Sequence, residues 1–240
     1  MNSWIKAALM IAALAAPVGL DAAQPRKART SATKSRAKAS ASSKAQKKSE
    51  TLDDIYSSGM ENYRLNRFAL AYPKLLKAAE MGHDYAQCFL ATMYDEGQGM
   101  PENPVQAFYW YSRSAEQGNV KAMAYLGYMY REGRGVAADP EEGLKWFMKA
   151  ADQGDLWAIK NVAHAYYYGI GTEENRREAI NWWRQAAERG DRSSQSNLGI
   201  CYEYGRGVAV DKAKARFWYE KAAEQGDPVA KSALATRLKK

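Results

Sequence analysis

Only two cysteines occur in 240 residues, Cys88 and Cys201, so no disulfide framework can hold this chain and its stability has to come from packing. Histidine is equally scarce. His83 and His164 have no Cys or second His at ligand spacing, which removes the usual basis for a zinc site or an acid–base pair, and no catalytic, metal or cofactor residue is nominated. The one sustained apolar run, Ala7–Ala16, is too short to span a bilayer comfortably. Most of the chain also has no excess of basic charge. Of the formal +8, residues 1–50 carry ten Lys/Arg against two acids, while residues 51–240 carry 25 of each sign. A balanced body offers no electrostatic footprint for nucleic acid, and such a partner is not expected.

What the chain does have is glycine on a fixed beat. Gly-x-Gly recurs every 36 residues, at Gly97/Gly99, Gly133/Gly135, Gly169/Gly171 and Gly205/Gly207. Other columns keep the same interval: Tyr94, Tyr130, Tyr166 and Tyr202; Trp110, Trp146, Trp182 and Trp218; Leu90, Leu126, Val162 and Leu198. A period of that length marks stacked supersecondary units.

Each unit reads as two helices. In the second, Asn119 can cap a helix running to about Glu132, with Ala122, Leu126 and Tyr130 one turn apart on one face. Gly133-Arg134-Gly135 ends it and reverses the chain. Asp139 caps the next helix, Pro140 fits its first position, and Glu142 sits where a reciprocal capping-box partner belongs. Asn103, Asn175 and Asp211 repeat the cap, and Gln106 and Glu178 repeat the box, which Lys214 breaks. The Gly-x-Gly pairs are not phosphate loops, since helix and not strand precedes them.

Leu198-Gly199, Tyr202, Gly205, Gly207-Val208, Ala215, Trp218-Tyr219 and Lys221 to Gly226 resemble the Sel-one-like repeat, a relative of the tetratricopeptide repeat. The resemblance implies an all-α, right-handed α-solenoid, a superhelix of stacked helix-turn-helix repeats. Four 36-residue units occupy 84–226. An atypical pair without Gly-x-Gly precedes them over 51–83, and a polar-faced capping helix follows over 227–240. Cys88 and Cys201 then fall three repeats apart, beyond disulfide reach.

The leader has its own character. Residues 1–23 read as a secretory signal peptide, with Lys6, the apolar run, and small residues near Ala22 and Ala23. Once the signal is cleaved, no stable membrane span is expected. Residues 24–50 are Ala, Ser, Thr, Lys and Arg with little to bury, a basic disordered linker that acts as a tether or attracts an anionic envelope polymer. Its two Ser-x-x-Lys matches, Ser31/Lys34 and Ser35/Lys38, follow from composition and have no fold around them to make a nucleophile. A periplasmic or secreted bacterial protein is expected.

In related tetratricopeptide solenoids the first helix of each pair lines the concave face. By register, the middle of that groove holds Tyr125, Tyr128, Arg131, Trp157, Lys160, Asn161, His164, Tyr167 and Asn197, a mixture of rings, cations and amides typical of interaction hot spots. Asn161 and Asn197 suit a peptide backbone; Lys160 and Arg131 suit a carboxylate. The expected function is a non-enzymatic scaffold that binds a protein or an extended peptide in this groove, in envelope assembly, signalling or host interaction. The alternative is a binder of peptidoglycan or anionic polysaccharide.

Overall fold

The structure, a computed structural model, describes residues 50–238. The signal-peptide reading and nearly all of the basic linker lie outside these residues. Among the described residues the chain is helical, without strands. The N-terminal pair is α1 (Leu52–Arg64) and α2 (Phe68–Glu80). Four repeats follow: α3 (Asp84–Glu96) with α4 (Pro104–Glu116), α5 (Val120–Glu132) with α6 (Pro140–Asp152), α7 (Leu156–Tyr168) with α8 (Arg176–Glu188), and α9 (Arg192–Tyr204) with α10 (Lys212–Glu224). A last helix, α11 (Pro228–Thr236), closes the array. The substantial contacts run between helices adjacent in sequence, which is the organisation of an α-solenoid.

Helix starts are set by short polar side chains. Asn119, Asp155, Asp191 and Asp227 accept from the backbone N–H three residues on, and His83 does the same through Nδ1 (3.3 Å from the Ala86 N) while stacking on Tyr56 at 4.0 Å. Asn103, Asp139, Asn175 and Asp211 cap the second helices likewise. The reciprocal half of the capping box does not form in these units. The amide it would satisfy is already taken: the N–H of each cap residue donates to the carbonyl of Tyr94, Tyr130, Tyr166 or Tyr202, at 2.7–2.9 Å. Among the described helices, Thr51 and Asp54 at the start of α1 make the full box. The repeated tyrosine thus closes the loop through its backbone as well as packing its ring.

The turn glycines meet two demands at once. Gly135 has φ 72°, and a Cβ on it would lie 2.1 Å from the Pro104 carbonyl oxygen at the start of α4. Gly171 meets the Pro140 carbonyl oxygen in the same way at 2.2 Å. Each turn therefore seats its backbone on the first residue of the preceding unit's second helix. In the atypical pair Asn66, at φ 55°, takes the left-handed position instead.

The deepest core column is not the Trp series but the position after it. Tyr111, Phe147, Trp183 and Tyr219 are at most 3% exposed, whereas Trp146 and Trp182 are only partly buried. Facing them are small residues: a Cβ on Gly199 would fall 2.5 Å from the Tyr219 ring, and one on Gly127 would fall 2.9 Å from Phe147. The apolar core runs in two stretches, with Tyr166 and Trp182 packed against both. Buried amides tie units together at each end. Gln87 donates to the Ala79 carbonyl and accepts from Gln117, and Gln195 and Gln225 repeat the arrangement 108 residues later. Cys88 and Cys201 are buried free thiols, their pKa values pushed up by burial to about 12 and about 11.

At the C-terminal end Arg237 donates from Nε to Glu203 (2.7 Å), which also accepts from the Tyr219 hydroxyl (2.8 Å). This network joins α9, α10 and the residue that follows α11.

Gly135→Ala should lower unfolding stability by about 2–5 kcal/mol, from left-handed strain plus overpacking against Pro104. Gly118→Ala, at φ 94° with no atom within 4 Å of the added Cβ, should cost only about 1–2 kcal/mol. Urea denaturation of the pair measures the difference, and equal losses would show that the close contact contributes nothing.

Candidate functional site

The first helices of the repeats, α3, α5, α7 and α9, present equivalent columns one turn apart, so the same position can be compared across four units. In the first unit these positions are satisfied internally. The Thr92 and Tyr111 hydroxyls share a hydrogen bond (2.9 Å), and Arg134, from the turn of the next unit, donates to both the side chain (2.6 Å) and the carbonyl (2.7 Å) of Asp95. The fourth unit is satisfied in the same way by Glu203, Tyr219 and Arg237.

The middle units are built differently. Arg131 occupies the Asp95 column, and where Arg134 would reach back the corresponding turn residue is Ile170. The Arg131 guanidinium lies over Tyr128 and Phe147 (5.7 and 5.5 Å to the ring centroids). It donates from Nε to Glu132 (2.7 Å) and from Nη1 to Asn161 Oδ1 (2.5 Å). Asn161 in turn donates to the Trp157 carbonyl at 2.8 Å, so its amide orients Arg131 and is not free for a ligand backbone. Trp157 is 37% exposed and gathers rings around it: Tyr125 at 5.4 Å, Phe147 at 5.7 Å and Tyr128 at 6.1 Å.

In the third unit His164 lies edge-on to Trp183 (5.5 Å) and parallel to Tyr168 (6.0 Å). Burial, then the charges of Arg131 and Lys160, depress its pKa, so the imidazole is neutral at pH 7. The Trp183 Nε1–H is buried without a hydrogen-bond partner.

The structure brings Tyr125, Tyr128, Arg131, Trp157, Asn161 and His164 into one patch, and places the other three differently. Tyr167 is 8% exposed, packed on Trp183 at 5.0 Å, with Arg206 donating to its hydroxyl (3.5 Å); it fills the join between units. Lys160 reaches forward to Asp191, the cap of α9, at 3.0 Å, because its column faces the next unit, as Ser196 facing Asp227 confirms (3.0 Å). Asn197 sits half-buried on α9 in the Asn161 column. Sequence reasoning missed Phe147 and Trp183. Their signal was available, since both belong to the column directly after the Trp series and that column holds a ring in all four units.

Among the described residues no group of three or more His, Cys, Asp or Glu side chains could hold a metal ion. None of the described helices is long and apolar enough to cross a membrane. Away from the patch, an open cavity of about 590 Å³ lies beside α2 and the first turn, where the Tyr72 and Tyr94 hydroxyls on its wall satisfy each other (2.9 Å).

The Sel1 repeat family model matches residues 84–119, 120–155, 158–191 and 192–227, more than half of the chain. The chain belongs to the Sel1 repeat family. Across 75% of its length it is similar to a Sel1 repeat protein from Oxalobacter formigenes, at 35% identity and TM-score 0.71, covering 74% of that protein. It is similar over the same share to c5321, a protective antigen of uropathogenic Escherichia coli with an SLR fold, at 32% identity and TM-score 0.72. There the match spans only 39% of the larger protein. MamA shares the fold at 17% identity and TM-score 0.50, with 77% of this chain and 97% of MamA covered. No curated protein matches the sequence. The Sel1 assignment makes this chain a repeat scaffold of the kind that typically serves protein–protein interaction.

The Lys160–Asp191 contact carries a pH signature. Burial raises the Asp191 pKa, but hydrogen bonds from Ser193, Ser194 and Lys160 outweigh it and bring the value from 3.8 down to about 2. The unfolded chain therefore binds this proton more readily than the folded one. The stability involved is complete above pH 3.8 and is lost as pH falls towards about 2. Acid titration of the unfolding free energy should show this loss, and Asp191→Asn should flatten it; an identical profile for the variant would remove Asp191 as its source.

Proposed function

We propose that this Sel1 repeat protein is a non-enzymatic, exported scaffold that docks an extended peptide or protein partner on its first-helix face, the concave groove of the solenoid. One observation carries the reading. At two equivalent polar positions the terminal units pair their groups with each other, whereas the middle units leave Arg131 partly available and the Trp183 donor unpaired, with the exposed ring of Trp157 alongside. A fold that can close these positions, and does so at both ends, has recognition capacity concentrated where it does not. Exposed aromatic rings beside an oriented guanidinium are the groups that dominate protein interfaces.

Export rests on the sequence of residues 1–23, and a periplasmic or secreted setting in a bacterium agrees with the bacterial Sel1 proteins that this chain is similar to. Residues 24–50 are then a tether between the export signal and the repeats.

Capture from envelope extract by the wild type, by Trp157→Ala/Asn161→Ala and by the outer-face control Phe217→Ala tests the groove. Binding partners should be retained by the control and lost by the double variant. Equal capture by all three would place the binding surface elsewhere. Deleting residues 24–50 should leave protein capture intact; if it abolishes retention instead, the envelope-polymer alternative gains.

A further inference from the structure

The array carries a filled carboxylate site in one turn and an unfilled copy of it in another. In the turn of the second unit, Arg134 reaches back to the first unit and holds two acids. It donates from Nε to Asp95 Oδ1 (2.6 Å) and from Nη2 to both the Asp95 carbonyl (2.7 Å) and Glu102 (3.2 Å). Two repeats on, the equivalent residues are Arg206, Tyr167 and Glu174. Tyr167 offers a hydroxyl where Asp95 offers a carboxylate, and Arg206 Nη1 meets it only at 3.5 Å. Glu174 is retained, but it is drawn to Arg176 (2.8 Å), which stands where the first repeat has Pro104, a residue with no charge to compete for Glu102. Arg206 is therefore exposed, lies over Tyr204 (5.4 Å to the ring centroid), and makes no ion pair among the described residues. The last residue of each first helix changes in the same direction. It is Glu96 and Glu132 in the first two units, then Tyr168 and Tyr204 in the last two, 63% and 51% exposed. Tyr168 packs on Tyr167 (4.8 Å), whose hydroxyl meets Arg206, so contacts link the guanidinium to both exposed rings.

We propose that this turn edge of the third and fourth units is a second docking surface, at which Arg206, left unpaired because Arg176 takes Glu174, receives an Asp side chain from a partner protein while Tyr168 and Tyr204 receive the apolar residues beside it. The surface shares no residue with the Trp157 patch and does not rest on the groove reading. Its ligand chemistry follows from what the array does with the same position elsewhere. The Arg134 copy is filled by an aspartate that gives both its side chain and its carbonyl to one guanidinium, and charge-assisted bonds of this kind are about twice as strong as neutral ones. A second copy of this chain is a poorer source of the acid, because the carboxylates on its own turn edge are engaged: Asp95 and Glu102 by Arg134, Glu132 by Arg131, and Glu96 by Gln98.

The probes are N-acetyl-Leu-Asp-Leu-amide, its Asn counterpart, and N-acetyl-Leu-Asn-Leu with a free C-terminus, titrated at low salt into the isotope-labelled full chain and followed by the arginine Nε–H resonances. The Asp peptide should bind about threefold to tenfold more tightly than either of the others and shift the Arg206 signal, assigned by its loss in Arg206→Gln. Arg206→Gln, with its urea midpoint checked for intact folding, should abolish the preference for Asp. Arg176→Pro should abolish it too, with Arg206 still present, because Glu174 is released to the guanidinium. Proline already occupies this first helical position in α4 and α6, and the cap backbone before it matches, with φ −140° at Asn175 and −143° at Asn103. Adding Glu174→Gln to Arg176→Pro should restore the preference. Equal affinity for the Asp and Asn peptides, a preference that persists in Arg206→Gln or Arg176→Pro, a double variant that stays unresponsive, or an unmoved Arg206 resonance each overturns the proposal. Equal binding by the free-terminus peptide makes a terminal carboxylate the ligand and overturns the assignment to Asp. Trp157→Ala/Asn161→Ala should leave these results unchanged, which separates failure here from failure of the groove reading.

Discussion

The contact on which the array depends is between backbones: the second glycine of each turn rests against the first residue of the helix one unit back. No side chain larger than hydrogen fits between Gly135 and the Pro104 carbonyl or between Gly171 and the Pro140 carbonyl. Side-chain packing can accommodate a range of residues by repacking, but two backbones at this separation fix the relative placement of successive units tightly. The first-helix columns stay aligned from unit to unit because of it. Alignment of this kind is what allows residues from α5 and α7, in successive repeats, to converge on one patch although they lie about 30 residues apart in the chain.

Much of this was legible in the sequence, and the reasons are physical. Helix ends were readable because each is set by a residue with a distinctive local role: an Asn or Asp accepting from an exposed amide, or a glycine in the left-handed region. The repeat period was readable because stacking imposes the same volume and shape at the same position in every unit. The capping box was less transparent. Glu142 has the right identity and spacing, but whether the box forms depends on where the Asp139 amide points, and the Tyr130 carbonyl that claims it lies nine residues back. The patch was partly legible. Register alone could say that Tyr125, Tyr128, Arg131 and Trp157 share a face. It could not show that Lys160 turns towards the next cap or that Tyr167 fills a join, since both depend on the rotation of one helix against its successor.

The difference between one turn and the next comes down to a few positions. Arg134 and Arg206 each reach back across a turn to the unit before; Ile170, at the same place, cannot donate. At that turn no guanidinium is set against Arg131, whose partners are instead Glu132 and Asn161. A solenoid can therefore vary its surface without altering its frame, because the residue between the two glycines contributes nothing to the backbone contact that holds the units in place.

The division of the apolar core has a mechanical consequence. Its two stretches meet around α7 and α8, where Tyr166 and Trp182 bridge them and where the indole nitrogens of Trp182 and Trp183 are buried without partners. A chain docked across Arg131 and Asn197, as proposed above, would touch repeats on both sides of that join and tie them together.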